Sequence, residues 1–116
     1  MPKYAALIYR DEANWPAQKS PEERALYQAW GAFRKDVAEA GVMKDGLGLS
    51  FSSSATTVRI REGKTLMTDG PFAETREQLG GVFIFECADL DEALSWASRI
   101  PDVHTGAIEV RPLWEQ

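Results

Sequence analysis

The amino-acid sequence predicts an α+β fold in which two helices cover one face of an antiparallel sheet. Two observations support this class. Capped amphipathic helices start near Ser20 and near Asp89, and runs of strand-forming residues lie before, between and after them. The predicted order is β-α-β-β-α-β with an extra hairpin. Split β-α-β folds of this order place both helices on the same side of the sheet.

The first helix has the clearest boundaries in the sequence. It follows a short apolar run at residues 4–9, which predicts a buried central strand. Ser20 can cap the free amides of the first turn, Pro21 suits the first helical position, and Glu23 completes a capping box. Gly41 ends the helix. Its apolar stripe is formed by Leu26, Trp30, Phe33, Val37 and Ala40.

The middle of the chain predicts strands joined by short turns. Residues 46–51 and 56–61 are strand-like and are separated by three consecutive serines. The Glu-Gly pair at 62–63 is a two-residue turn signal, so residues 57–61 and 64–68 are expected to form a hairpin.

The second half of the chain repeats the alternation of strand and helix. Residues 82–87 have the strongest strand pattern, and Asp89 with Glu92 forms a second cap. Pro101 ends this helix, and residues 107–111 form the last predicted strand. The alternation of this strand puts Phe83, Phe85 and Cys87 on one face and Val82, Ile84 and Glu86 on the other. The inner face of the helix is predicted to hold Leu90, Ala93, Leu94, Ala97 and Ile100.

The sheet face opposite the helices is predicted to be bare, yet the strands carry apolar residues on both sides. A bare apolar face usually finds a partner. We therefore expect a homodimer formed by two sheets, with a binding cleft beside the interface.

Bulk properties limit the class of protein. The 116 residues suit a single domain over residues 1–116, and the net charge of −5 argues against nucleic acid and anionic membranes as partners. No apolar run reaches the roughly 20 residues of a membrane span, and no signal-peptide pattern is present. A single cysteine fits a reducing cytoplasm. With one Cys and one His no transition-metal site is expected, and no motif predicts a cofactor.

The candidate site is the Asp-Gly-Pro-Phe loop, which we define as residues 68–77. Gly70 and Pro71 form a strong turn signal, and a stiff turn would hold the preceding carboxylate of Asp69 still. Asp69 is either a ligand anchor or general base, or a turn residue bonded to nearby amides. We interpret Phe72 as an anchor into the core rather than an aromatic lid. Glu74 is either a site carboxylate or part of a solvated face.

Three charged residues on predicted strands are further candidates. Arg59, Glu109 and Arg111 each point to a defined sheet face, and an arginine facing a cleft suits a carboxylate or phosphate ligand. The alternative is that they pair with one another or with Asp69 and act only structurally. His104 is expected to be a surface residue, and Cys87 a small core residue.

These segments together resemble the branch of the YCII-related domain family that carries the DGPF motif. The resemblance rests on residues 68–77 followed by the Leu-Gly-Gly at 79–81, with further matches at 55–59, 91–94 and 108–112. With the first strand, it covers nearly the whole chain.

The resemblance implies a ferredoxin-like fold that dimerises into an α/β-barrel arrangement. It also implies a gene neighbourhood that often includes extracytoplasmic-function sigma factors. For the wider family it implies a His–Asp pair in a cleft, for which Asp69 is the candidate acid. The first helix, however, holds Tyr27, Gln28 and Trp30 and no histidine.

Two functions stay open on the sequence. One is a small-molecule binder or an enzyme of unknown reaction, with a cleft next to Asp69, Gly70, Pro71, Phe72 and Glu74. The other is a non-enzymatic dimeric accessory protein that contacts a sigma factor, with Trp15 and Trp114 as exposed candidates for the partner surface.

Overall fold

The computed structural model describes residues 1–114 and contains one four-stranded antiparallel sheet, one separate hairpin and two helices. The order of elements is β1 (Lys3–Asp11), α1 (Pro21–Glu39), β2 (Met43–Gly48), β3 (Thr56–Arg61), β4 (Lys64–Asp69), β5 (Glu77–Glu86), α2 (Leu90–Ala97) and β6 (Ala107–Pro112). The strands of the sheet lie in the order β2-β5-β1-β6. This arrangement confirms the predicted α+β class and is consistent with a ferredoxin-like fold.

Both helices start at the predicted caps. The Ser20 hydroxyl accepts a hydrogen bond from the Glu23 amide at 3.1 Å, and the Glu23 carboxylate accepts one from the Lys19 amide at 2.8 Å. At α2, Asp89 accepts from the Glu92 amide at 2.9 Å. These bonds satisfy amides that have no partner within the helix.

The core lies between the helices and one face of the sheet. Tyr4, Ala6 and Ile8 of β1 are buried there with Phe83 and Phe85 of β5, as the alternation of the strands predicts. The rest of the core comes mainly from α1 and from the segment through α2, and includes Trp30, Phe33, Val37, Cys87, Ala93, Ala97 and Ile100.

The prediction for the inner face of α2 was partly wrong. Leu90 and Leu94 are exposed, whereas Ala93, Ala97 and Ile100 are buried. The side of α2 that faces the core carries the small residues Ala93 and Ala97, and the helix ends at Ala97, so Ile100 is buried beyond its end rather than on it.

Two strands start three or more residues before their predicted positions. The fifth begins at Glu77 rather than residue 82, because its first residues pair with the end of β1 through a bulge at which Ile8 faces Gly81 and Tyr9 faces Leu79. The second runs over Met43–Gly48 rather than 46–51. Beyond it the chain forms a helical turn at Ser52–Ser54, where the Glu12 carboxylate accepts hydrogen bonds from the Ser52 amide and hydroxyl.

The predicted hairpin is confirmed, and it stands apart from the four-stranded sheet. Strands β3 and β4 pair with each other through the turn at Glu62 and Gly63, both of which have positive φ. Apolar side chains of the hairpin are exposed, among them Val58, Ile60 and Met67. The molecule is correspondingly flat, with extents of 48 × 45 × 17 Å.

The sheet face opposite the helices is open, as predicted. Ala5 and Leu7 of β1 lie on this face next to Val82 and Ile84 of β5. All four are half-buried, and no helix of the described residues packs over them. Within residues 1–114 no helix is long and apolar enough to cross a membrane.

Candidate functional site

The Asp-Gly-Pro-Phe loop starts at the end of the hairpin and is fixed to its first strand. Asp69 is the last residue of β4 and faces Thr56 of β3. Gly70 has a φ of +105°, donates its amide to the Ala55 carbonyl at 2.7 Å and accepts from the Thr57 hydroxyl at 2.8 Å. A positive φ of this kind favours glycine, so Gly70 sets the direction in which the loop leaves the hairpin.

The second half of the loop is held by a glutamine that the sequence did not single out. The Gln78 side-chain amide donates to the carbonyls of Ala73 at 3.0 Å and Thr75 at 2.9 Å. Both ends of the loop are therefore anchored by hydrogen bonds to backbone.

A cleft of about 730 Å³ lies beside this loop, and we name it the Phe72 cleft. One wall is the loop, through Pro71 and Phe72, and another is the segment of residues 49–55 that follows β2. The sheet contributes Tyr9 and Leu79. The described lining also includes the serines and threonines Ser50, Ser52, Ser54, Thr56, Thr57 and Thr75. Glu77 is the one charged residue among the described lining residues.

Phe72 does not anchor the loop into the core, contrary to our interpretation of the sequence. Its side chain is 80% exposed and lies at the edge of the cleft. The hydrogen bonds of the Gly70 backbone to Ala55 and Thr57 hold the start of the loop, so no buried aromatic ring is needed there.

The other predicted site residues are not brought together in this cleft. Arg59 faces Leu66 on the exposed hairpin, and Arg111 forms an ion pair with Glu109 at 2.9 Å. Glu109 also accepts a hydrogen bond from the Tyr9 hydroxyl at 3.4 Å, which places the pair on the open face of the sheet. Glu74 is exposed, with a carboxylate oxygen near Gly70.

A buried ion pair between Arg10 and Asp102 lies on the helix-covered side of the sheet and was not predicted from the sequence. Asp102 is only 2% exposed and lies in a one-turn helix after α2. Its two oxygens accept from Arg10 Nε at 2.6 Å and from the Trp30 indole Nε1 at 3.0 Å. A buried carboxylate needs such partners, but its sequence neighbours, Pro101 and Val103, gave no sign of them.

Asp11, the last residue of β1, is a second carboxylate that accepts hydrogen bonds from other side chains. Asp11 accepts from the Asn14 side-chain amide at 2.7 Å and from Arg76 of the loop at 3.0 Å. The hydrogen bond from Asn14, followed by the contact with Arg76, lowers the pKa of the Asp11 carboxyl from its ordinary value. Arg76 thus ties the Asp-Gly-Pro-Phe loop to the sheet.

A further cavity of about 550 Å³ lies between α1 and the segment of residues 99–105. It is lined by Arg10, Asp11, Trp15 and Asp102 among others, and the exposed His104 stands at its border. Trp15 is half-buried rather than exposed, because its ring packs edge-on against Phe51 at 5.6 Å.

The last two points are the reactivity of Cys87 and the presence of residues that could bind a metal ion. Cys87 is a buried free thiol, as predicted, and burial raises its pKa, which keeps it protonated and unreactive. In the described part of the chain, no group of three or more His, Cys, Asp or Glu side chains is arranged to hold a metal ion.

Comparison with known proteins identifies the family of the chain. Residues 2–116 match the YCII-related domain. The chain belongs to the YCII-related domain family. It is also 39% identical over 112 residues to an uncharacterised protein of Rhizobium meliloti (strain 1021), a match that covers 95% of this chain and 90% of that protein. The family membership therefore extends over the core, the hairpin and the Asp-Gly-Pro-Phe loop alike.

Proposed function

We propose that this YCII-related protein, a member of the DGPF branch, is a homodimer that binds a small molecule in the Phe72 cleft. The observation that carries the proposal is the exposed ring of Phe72 at the edge of an apolar cleft of about 730 Å³. Ligand sites are typically concave and mostly apolar, with a few polar groups that fix orientation. A ligand that covers the Phe72 ring removes apolar surface from water, which favours binding.

The lining of the cleft indicates the chemistry of the ligand. Phe51, Phe72 and Leu79 supply apolar surface, and the serine and threonine hydroxyls can donate or accept hydrogen bonds. Among the described lining residues Glu77 is the only charged side chain, and its carboxylate repels anions. The cleft therefore suits a molecule without negative charge that has an apolar body and a few hydroxyl, amide or carbonyl groups.

Asp69 is not among the described residues that line the cleft, and it stays a candidate general base or ligand anchor only through its place in the Asp-Gly-Pro-Phe loop. It directly precedes the fixed Gly70 turn that leads to Pro71 and Phe72. Five further residues stay predicted ligand-binding residues, namely Gly70, Glu74, Arg59, Glu109 and Arg111. Glu109 and Arg111 lie on the sheet face where a second copy would pack.

The proposal is tested by the effect of Phe72 on binding. Freshly purified protein is searched for a retained ligand by native mass spectrometry and is screened by thermal shift against uncharged metabolites. We expect Phe72→Ala to weaken binding of a compound found in this way by about tenfold or more, because the aromatic contact is lost.

Trp114→Ala is the matched control, since Trp114 is an equally exposed aromatic residue outside the cleft lining. The proposal fails if no compound stabilises the protein or if both variants bind equally well. Asp69→Asn tests the aspartate separately, and unchanged binding and turnover would remove it from the site.

A second candidate function is an accessory role with an extracytoplasmic-function sigma factor. The observation in its favour is Trp114, which is 88% exposed just after β6, where a partner could cover it. A pull-down with an extracytoplasmic-function sigma factor from the same organism, repeated with Trp114→Ala, tests this role. No association at micromolar concentration would count against it.

A further inference from the structure

A third cavity differs from the Phe72 cleft in its electrostatics. Its volume is about 490 Å³, and it lies between α1 and the segments around Trp15 and Phe51. Two arginines and four aromatic residues dominate its lining, namely Arg10, Arg34, Trp15, Tyr27, Trp30 and Phe51. Among the residues of 1–114 that line it there is no carboxylate, although the whole chain has a net charge of −5. We name this space the arginine cavity.

We propose that the arginine cavity binds a planar organic anion, in which a carboxylate or phosphate is attached to an aromatic ring. Arg10 and Arg34 would pair with the anionic group, and the aromatic side chains would contact the ring. This inference goes beyond the proposed function and does not depend on occupation of the Phe72 cleft.

Arg10 is held in place before any ligand arrives. Its Nε donates to Asp102 at 2.6 Å, and Asp102 is itself fixed by the Trp30 indole. Because the guanidinium is planar, fixing Nε also sets the directions of the two terminal nitrogens. A Cβ at Gly80 would lie 2.5 Å from Arg10 Cδ, so the glycine leaves the space through which this side chain passes.

Arg34 approaches the same cavity from α1. Its guanidinium carbon lies 5.5 Å from the centre of the Trp30 ring, and Arg34 takes part in none of the ion pairs found among residues 1–114. Asp102 compensates the charge of Arg10 from outside the lining, so the unpaired Arg34 gives the cavity its positive local potential. An anionic ligand would compensate the Arg34 charge and can accept paired hydrogen bonds from a guanidinium fork.

The aromatic lining specifies the remainder of the ligand. The Trp15 ring lies 5.2 Å from the guanidinium carbon of Arg10 and packs edge-on against Phe51. Tyr27 is 57% exposed on α1 and borders the same space. An aromatic ring can pack on such faces while its charged group stays with the arginines.

The test uses benzoate and phenyl phosphate as probes and uncharged benzamide as the comparison compound. Binding is followed by the NMR signals of the tryptophan indole N–H groups during titration of the full chain. We expect both anions to bind at millimolar concentration and to shift indole signals. Benzamide should bind about tenfold more weakly, a change that corresponds to about 1.4 kcal/mol.

Variants on one helix assign the binding to Arg34. Arg34→Gln should weaken binding of both anions by about tenfold, whereas Lys35→Gln, which removes the same charge from the neighbouring exposed position, should change it less than about twofold. If circular dichroism shows that Arg34→Gln is unfolded, Arg34→Lys replaces it. Loss of the guanidinium fork should then still weaken binding measurably, since a lysine ammonium is a point charge.

Three results would overturn the inference. They are the absence of binding by either anion, equal affinity for benzoate and benzamide in the unmodified chain, and equal effects of Arg34→Gln and Lys35→Gln. Phe72→Ala should leave binding of the anions unchanged, so that failure here is distinguishable from failure of the proposed function.

Discussion

At the residue scale, Asp102 joins three elements of the fold through its two carboxylate oxygens. Arg10 reaches it from β1, Trp30 reaches it from α1, and Asp102 itself belongs to the turn that follows α2. The Arg10 side chain is 16% exposed and that of Asp102 is 3% exposed, so the pair is largely removed from water. Losing one partner of such a pair leaves an uncompensated charge.

We therefore expect Asp102→Ala to destabilise the fold by about 3 kcal/mol or more, because it leaves the Arg10 charge and the Trp30 N–H without their acceptor. The measurement is the free energy of unfolding from urea titration. Glu39→Ala removes an exposed acid at the end of α1 and should change that free energy by less than about 0.5 kcal/mol. Equal stabilities of the two variants would show that the pair adds nothing to the fold.

Asp11 gives a prediction about pH at the same scale. The pKa of its carboxyl is below the ordinary 3.8, first through Asn14 and then through Arg76. A lowered pKa in the folded state means that the carboxylate stabilises the fold above pH 3.8 and that this contribution is lost as the pH falls through the folded-state pKa.

Arg76→Ala should move the pKa of Asp11 upwards, towards its ordinary value, because one hydrogen-bond donor and one positive charge are removed. Carboxyl-carbon NMR titration of Asp11 measures this pKa directly. Lys19→Ala, which removes a cation that has no contact with Asp11, is the control. An unchanged pKa in Arg76→Ala would show that the loop does not influence the acid.

At the scale of elements, the segment after β2 decides the shape of the Phe72 cleft. Residues Ser52–Ser54 form a single helical turn, and the Glu12 carboxylate accepts from the Ser52 amide at 2.9 Å and from its hydroxyl. This contact joins one wall of the cleft to the short turn after β1. The edge contact of Trp15 with Phe51 reinforces it.

Removal of the Glu12 carboxylate should loosen this wall. We expect Glu12→Ala to increase amide hydrogen exchange at Ser52 by about tenfold, since a charge-assisted hydrogen bond of 1.5 kcal/mol or more is lost. Exchange at Phe85 in the central sheet should stay unchanged and serves as the internal control. Equal protection of Ser52 in both proteins would mean that the wall is held by other contacts.

The elements themselves were largely predictable, for local reasons. Ser20 and Asp89 start the two helices because their side chains satisfy amides only three residues away. The boundaries of β2 and β5 were not predictable. They depend on the Glu12 contact and on the bulge between β1 and β5, and both join residues that are far apart in sequence. The prediction that Phe72 is buried in the core was wrong for the same reason, because contacts between distant residues decide where the loop lies.

At the scale of the whole molecule, the structure is flatter and more extended than a typical domain of its length. Its radius of gyration is 16.2 Å, whereas a compact domain of this length has about 13 Å. The exposed hairpin and the open sheet face account for the difference. An isolated two-stranded hairpin is marginally stable in water, so both features favour a partner copy.

A charge on the open face should prevent this association. We expect Leu7→Glu to weaken dimerisation by about a hundredfold or more, because the interface would bury an unpaired carboxylate from each copy. Analytical ultracentrifugation measures the oligomeric state. Leu90→Glu places the same charge on the helix side, where Leu90 is already exposed, and should leave the dimer intact. A monomeric unmodified protein, or a dimer that tolerates Leu7→Glu, would contradict the sheet-to-sheet arrangement.

The sequence by itself determined the α+β class, the helix caps, the hairpin turn and the family, because each depends on residues that interact with near neighbours or form a continuous motif. Only the tertiary structure decided that Phe72 is exposed beside a cleft, that Asp102 is buried between Arg10 and Trp30, and that Arg10 and Arg34 face one cavity. Arg10 and Asp102 are 92 positions apart. Local patterns do not encode such a pair, because sheet pairing and helix packing bring its members together.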